Sequence, residues 1–185
     1  MRSVVAKELR KKFSKMFIQK YPFFKETKDI DVPPGCRVYQ RKYETGFIFF
    51  LILIISPKAD NYTLEFGWNR ENKVPNYNAP YISREKFITP EEVMNIFAES
   101  STLCARLGRL THPMLQIGKV YVLGRDLDEL SLDDDLFNFD IEEVPLEESL
   151  KNLEESLIDV MEKLNKYIIP LFKRVAERNG LKLEE

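Results

Sequence analysis

Histidine and cysteine are scarce in this chain of 185 residues, which holds one histidine, His112, and two cysteines, Cys36 and Cys104. A closed structural zinc site takes four nitrogen or sulfur ligands at characteristic spacings. Three such side chains do not make one, so no metal and no cofactor are expected. The cysteines lack C-x-x-C spacing, and a chain of this size needs no disulfide framework. Reduced thiols and a cytoplasmic location follow as expectations. Cys104 and His112 lie eight residues apart. That separation is weak ground for nucleophilic catalysis, because a base must stand within hydrogen-bond reach of the thiol.

Glycine is also sparse, at seven residues, and none falls in a G-x-G-x-x-G, G-x-x-x-x-G-K or G-x-S-x-G pattern. Phosphate cradles and the nucleophile elbow therefore have no support in the sequence. The longest apolar run, residues 47–55, is far short of the roughly 20 residues that span a bilayer. Residues 1–13 set apolar positions among lysines instead of forming the continuous core of a secretory signal. Neither export nor membrane insertion is expected. No repeat and no linker-like shift of composition divides the chain, which reads as a single domain over 1–185.

The elements present are those of an α+β domain. Val5, Leu9, Phe13, Met16 and Phe17 recur at helical spacing and predict an amphipathic helix over 3–20 with a basic opposite face. Residues 36–43 read as a strand, and Glu44, Thr45 and Gly46 as a turn. Residues 47–56 are apolar on both faces, which predicts a central strand with helices on both its sides. Tyr62, Leu64, Phe66 and Trp68 alternate with Thr63, Glu65, Gly67 and Asn69, predicting a third strand with one wet face. Two tight connections in succession imply an antiparallel meander. Thr89, Pro90 and Glu92 form a capping-box sequence, opening a helix whose inner stripe runs through Val93, Phe97, Cys104 and Leu107 to a stop at Gly108.

Residues 119–123 suggest a fourth strand. The last element is the longest: Leu146, Leu150, Leu153, Leu157, Val160, Leu164, Tyr167 and Leu171 step by four and three. Ile158, Met161, Ile168 and Phe172 widen this stripe, as for a helix lying on its own sheet. Pairing with a second copy through the same helix is the alternative. Glu147 with Lys151, Asp159 with Lys163 and Glu162 with Lys166 stand at supporting spacing. Pro170 would cost about 3 kcal/mol in a straight helix, which predicts a kink or break near Ile169. The whole is an antiparallel sheet of three or four strands covered by an N-terminal, a middle and a long C-terminal helix.

The net charge of −2 divides into a basic start and an acidic stretch over 126–148. Lys7, Arg10, Lys11 and Lys15 are the candidates for a phosphate backbone, but no nucleic-acid motif accompanies them. Leu136, Phe137 and Phe139 alternate with acidic residues in a candidate partner-docking segment. Arg37, Tyr39, Arg41 and Tyr43 share one strand face by alternation. With Trp68, and with Tyr77, Tyr81 and Arg84 beyond it, they are the candidates for an aromatic and basic ligand pocket. Asp60 with Glu71 and Lys73 distantly follows the D and E-x-K pattern of metal-dependent nucleases, though with Glu71 and Lys73 past the strand. Asp133, Asp134 and Asp135 do not begin an EF-hand loop, whose twelfth place would be Val144. The leading expectation is a non-enzymatic protein-interaction module. An enzyme or small-molecule binder using the Arg37 region, and a nucleic-acid binder using the first helix, are the alternatives.

Overall fold

The computed structural model describes residues 1–28, 35–56, 60–71, 78–80, 89–108, 121–122 and 145–184. Helix α1, Ser3–Lys20, occupies the predicted span and turns Val5, Ala6, Leu9, Phe13 and Phe17 inward. Its cap, Arg2, has no side-chain capping bond of its own. The missing acceptor comes from Asp60, in the turn between two strands, which takes the Arg2 backbone N–H at 2.7 Å. A helix start needs acceptors for its orphan N–H groups, and here a residue distant in sequence provides one.

The sheet is a meander, β1 (Lys25–Thr27), β2 (Arg37–Lys42), β3 (Ile48–Ile55), β4 (Asn61–Asn69) and β5 (Leu103–Arg106), each antiparallel to the next. A two-residue strand, β6 (Tyr121–Val122), pairs with the start of β4. Four of these strands match the sequence reading, β6 falling within the expected 119–123, and two do not. β1 is three polar residues, Lys25, Glu26 and Thr27, drawn into the sheet by pairing with β2. β5 lies where the middle helix was expected to continue. That helix, α2 (Pro90–Ala98), starts as predicted, with both halves of the Thr89 and Glu92 capping box formed. It stops short because Ser100, Ser101 and Thr102 are poor helix formers. Leu103, Ala105 and Leu107 then alternate onto the helix-covered side of the sheet. Cys104 and Leu107 therefore sit in and just after a strand, not on a helix.

The close fit of β5 depends on Gly67. A Cβ there would fall 1.8 Å from the Leu103 carbonyl oxygen and 2.6 Å from the Phe50 ring. Only a residue without a side chain permits this approach of two backbones.

The C-terminal element runs through α3 (Leu146–Lys163), a π-helical turn at Leu164–Ile168 and α4 (Ile169–Arg178). The kink or break expected near Ile169 takes the form of this π turn, which interrupts the α-helical pattern directly before Ile169 while the chain stays helical. The π turn widens the helix by one residue before the proline, which then stands in the first turn of α4, where it needs no N–H. Asp159 and Lys163 pair as expected at 2.5 Å, whereas Lys151 turns to Glu155 at 4.0 Å and not to Glu147.

All three described helical elements lie on one face of the sheet. Phe49, Leu51, Leu53 and Ile55 of β3 join the buried residues of α1, α2, α3 and α4 in one core. Phe172 is its hub, with ring centroids 4.8 Å from Phe49, 6.1 Å from Phe24 and 6.2 Å from both Phe66 and Trp68. On the opposite face, Val38, Ile48, Phe50, Ile52 and Cys104 form a second buried cluster that includes no residue of a described helix. The central strand is thus buried on both sides, as its composition predicts, and the described helices cover one of them. The supposed wet face of β4 is also closed, with Thr63 and Asn69 buried.

Candidate functional site

The inward stripe of α1 leaves the opposite side of the helix to solvent, and Val4, Lys7, Lys11 and Lys15 occupy it. The lysines follow at intervals of four, so they make one ridge along the helix. Of the four candidate phosphate contacts, Lys7, Lys11 and Lys15 share this ridge, while Arg10 is half-buried to one side. Lys12, on the flank, reaches the carboxylate of Glu154 on α3.

Helix α3 lies beside α1 and shows the opposite sign. Its buried side is Ser149, Leu153, Leu157, Val160 and Met161, and its exposed side carries Glu148, Glu155 and Glu162 at intervals of seven. The starts of the two helices are tied together: the Arg2 guanidinium holds Asp60 through Nε at 2.7 Å and donates to Ser149 Oγ at 2.7 Å. Ser149 in turn donates to Asp60 at 3.3 Å. The Lys12 and Glu154 contact lies further along both helices, so α1 and α3 run in the same direction.

Among the described residues, the exposed large hydrophobic side chains are Val4 at 50%, Leu146 at 37% and Ile158 at 56%. All three are on α1 and α3. The sequence reading placed Ile158 in the inner stripe. Its true position, immediately after buried Leu157, points it outward and one turn beyond Glu154, on the shoulder of α3 nearest α1. Leu146 at the head of the stripe is exposed as well, Leu150 and Tyr167 are half-buried, and the remainder, including Met161, Ile168 and Phe172, is buried in the chain's own core. The signal for Ile158 was the strict four-and-three stepping itself, which leaves position 158 outside the seam.

The four candidate pocket residues keep to one sheet face, but it is the face beneath the helices. Tyr39 lies with its ring 5.5 Å from Phe13 and 5.2 Å from Phe17, and burial pushes its phenol up to about 12. Trp68 packs edge-on against Phe49 and Phe172, and its Nε1 donates to the Ser100 carbonyl at 3.0 Å. Both rings are fully buried and fill core space. Arg37 pairs with Glu26 at 3.3 Å, and the Arg41 guanidinium stacks 4.8 Å over the Tyr43 ring. Tyr77, Tyr81 and Arg84 lie outside the described residues.

The chemical candidates separate in space. Asp60 and Glu71 flank the nine-residue strand β4 at its two ends. At about 3.3 Å per residue they stand roughly 30 Å apart, and Asp60 is already engaged by Arg2. Lys73, His112, Asp133, Asp134 and Asp135 lie outside the described residues, as do Leu136, Phe137 and Phe139. Cys104 is buried, and its thiol is pushed up to about 12 by burial and by the neighbouring Glu65 carboxylate. A thiol so strongly held in its protonated form is a poor nucleophile. Cys36, just before β2, is separated from β5 by three strand spacings, about 14 Å, beyond disulfide reach.

Among the described residues, no group of three or more His, Cys, Asp or Glu side chains is placed to hold a metal ion. None of their helices is long and apolar enough to cross a membrane. The chain matches no family model, no curated protein and no solved structure.

Proposed function

We propose that this chain is a non-enzymatic protein-interaction module that docks its partner on the outer surface of α1 and α3. The observation that carries this reading is that the exposed large hydrophobic residues among those described, Val4, Leu146 and Ile158, all fall on these two adjacent helices, which bear exposed ridges of opposite charge. Apolar contacts rimmed by charge are the composition of a protein interface. The segment holding Leu136, Phe137 and Phe139 leads directly into α3 along the chain, and it belongs to the same proposal as a second docking element.

A phosphate backbone is a poorer fit to this surface. Lys7, Lys11 and Lys15 would attract it, but Glu148, Glu155 and Glu162 on the next helix would repel it. A gel shift at low salt that shows a complex would reverse this preference. The test of the main reading is retention of partners from native lysate by the immobilised chain, with wild type compared with Ile158→Glu. Partners held by wild type and lost by the variant support it. A wild-type chain that retains nothing at low salt overturns it.

A further inference from the structure

The outer surface of α1 and α3 has a property that a general docking patch does not need: it complements itself. We infer that its partner is a second copy of this chain, related by a two-fold axis along the groove between α1 and α3. This rests on the reading above and specifies it.

Charge selects the axis. The lysine ridge of α1 and the glutamate ridge of α3 lie side by side on helices that run in the same direction. Two copies placed face to face about an axis across the helices would set lysines on lysines and glutamates on glutamates. An axis along the groove instead seats α1 of each copy on α3 of the other. The lysine ridge from Lys7 to Lys15, about 12 Å long, then lies against Glu155 and Glu162 of the partner, about 10 Å apart, twice over, with Glu148 beyond its end. Such an interface is isologous, since the same patch serves both copies.

Among the described residues, Lys7, Lys11, Lys15, Glu148 and Glu162 form no ion pair, and Glu155 has only Lys151 at 4.0 Å. Like charges at intervals of four weaken an isolated helix, so the α1 ridge is a feature that an opposing acidic surface relieves.

Ile158 supplies the apolar centre. It stands on the shoulder of α3 nearest α1, close to where the axis runs, and a residue near a two-fold axis meets its own counterpart. Its 56% exposure in the single chain is then closed by the Ile158 of the other copy.

The size of the patch sets the strength. Each helix has 18 residues and is about 27 Å long. Two helices side by side, with a combined width of about 20 Å, offer roughly 500 Å² per copy. The total of about 1,000 Å² is at the low end for specific interfaces, so the dimer is weak, in the micromolar range or above, and loosens with salt.

The experiment is sedimentation equilibrium of the purified chain at low and high salt, together with three variants. Wild type dimerises at low salt and dissociates at high salt. Lys11→Glu with Lys15→Glu raises the dissociation constant at least tenfold, and Glu155→Lys with Glu162→Lys does the same. The four substitutions combined restore pairing at unchanged net charge. Ile158→Cys forms an intermolecular disulfide under mild oxidation that wild type, with Cys36 and Cys104, does not. A wild type that remains monomeric to millimolar concentration at low salt overturns the inference, as does a dimer indifferent to both charge reversals. A monomer that still holds a lysate protein in an Ile158-dependent manner overturns self-pairing alone and leaves the docking surface standing.

Discussion

Arg2 and Asp60 bind each other twice, the backbone N–H and the guanidinium Nε of Arg2 each donating to one carboxylate oxygen at 2.7 Å. One side chain thus caps α1 and, through Arg2 and Ser149, fixes the start of α3. Asp60→Ala leaves an orphan N–H at the helix start and a half-buried cation without its partner. The expected loss is about 2–3 kcal/mol in urea unfolding. Asp60→Asn, which retains an acceptor, should lose about half as much.

Gly67→Ala should be among the most damaging single substitutions, because the added methyl meets a backbone oxygen at 1.8 Å. Backbone cannot move aside as a flexible side chain does. The expected cost is at least about 2 kcal/mol, read as a fall in Tm. An unchanged Tm would mean that β5 does not lie against β4 as described.

Phe172 joins the last helix to two strands, through Phe49 of β3 and Phe66 and Trp68 of β4, and to Phe24 through ring contacts. Phe172→Ala should cost about 3–5 kcal/mol, and Phe172→Leu distinctly less, since leucine refills part of the cavity. Denaturant unfolding of the pair measures the difference.

Alkaline pH should unfold the protein before it reaches 12. Burial pushes the Tyr21 and Tyr39 phenols up to about 12, and burial with the Glu65 carboxylate does the same to the Cys104 thiol. Each folded value lies above the ordinary one, 10.0 for tyrosine and 9.0 for cysteine. The folded chain therefore keeps protons that the unfolded chain releases. This stabilisation is complete below pH 9.0 and is lost as pH rises towards 12. Tyrosinate absorbance should rise together with loss of helical circular dichroism, and Cys104 should resist alkylation until that point. Separate, earlier ionisation of the buried tyrosines would contradict this packing.

Local patterns carried most of the fold. The stepping of Val5, Leu9, Phe13 and Phe17 placed α1, the Thr89 and Glu92 box started α2, and the short turns around Gly46 and Asn61 paired β2, β3 and β4. Where reading failed, the deciding partner was remote. Lys25, Glu26 and Thr27 have no strand character until β2 pairs with them. Residues 103–106 have apolar spacing compatible with either period, and the open edge of β4 beside Gly67 decided for strand. The candidate site divides in the same way. The basic ridge of α1 was legible, because a helix of known phase sorts its own faces. Tyr39 and Trp68 looked like ligand contacts only because alternation shows that residues share a face, not which layer covers it.

By itself, the sequence determined which segments coil, which extend, where they turn and that the middle strand is shielded on both faces, since those outcomes follow from spacing and composition within a few residues. Tertiary structure alone decided that the described helices gather on one side, that Asp60 caps a helix nearly sixty residues away, and that two ridges of opposite charge lie side by side. Such outcomes depend on how separate elements meet in space, which no local period encodes.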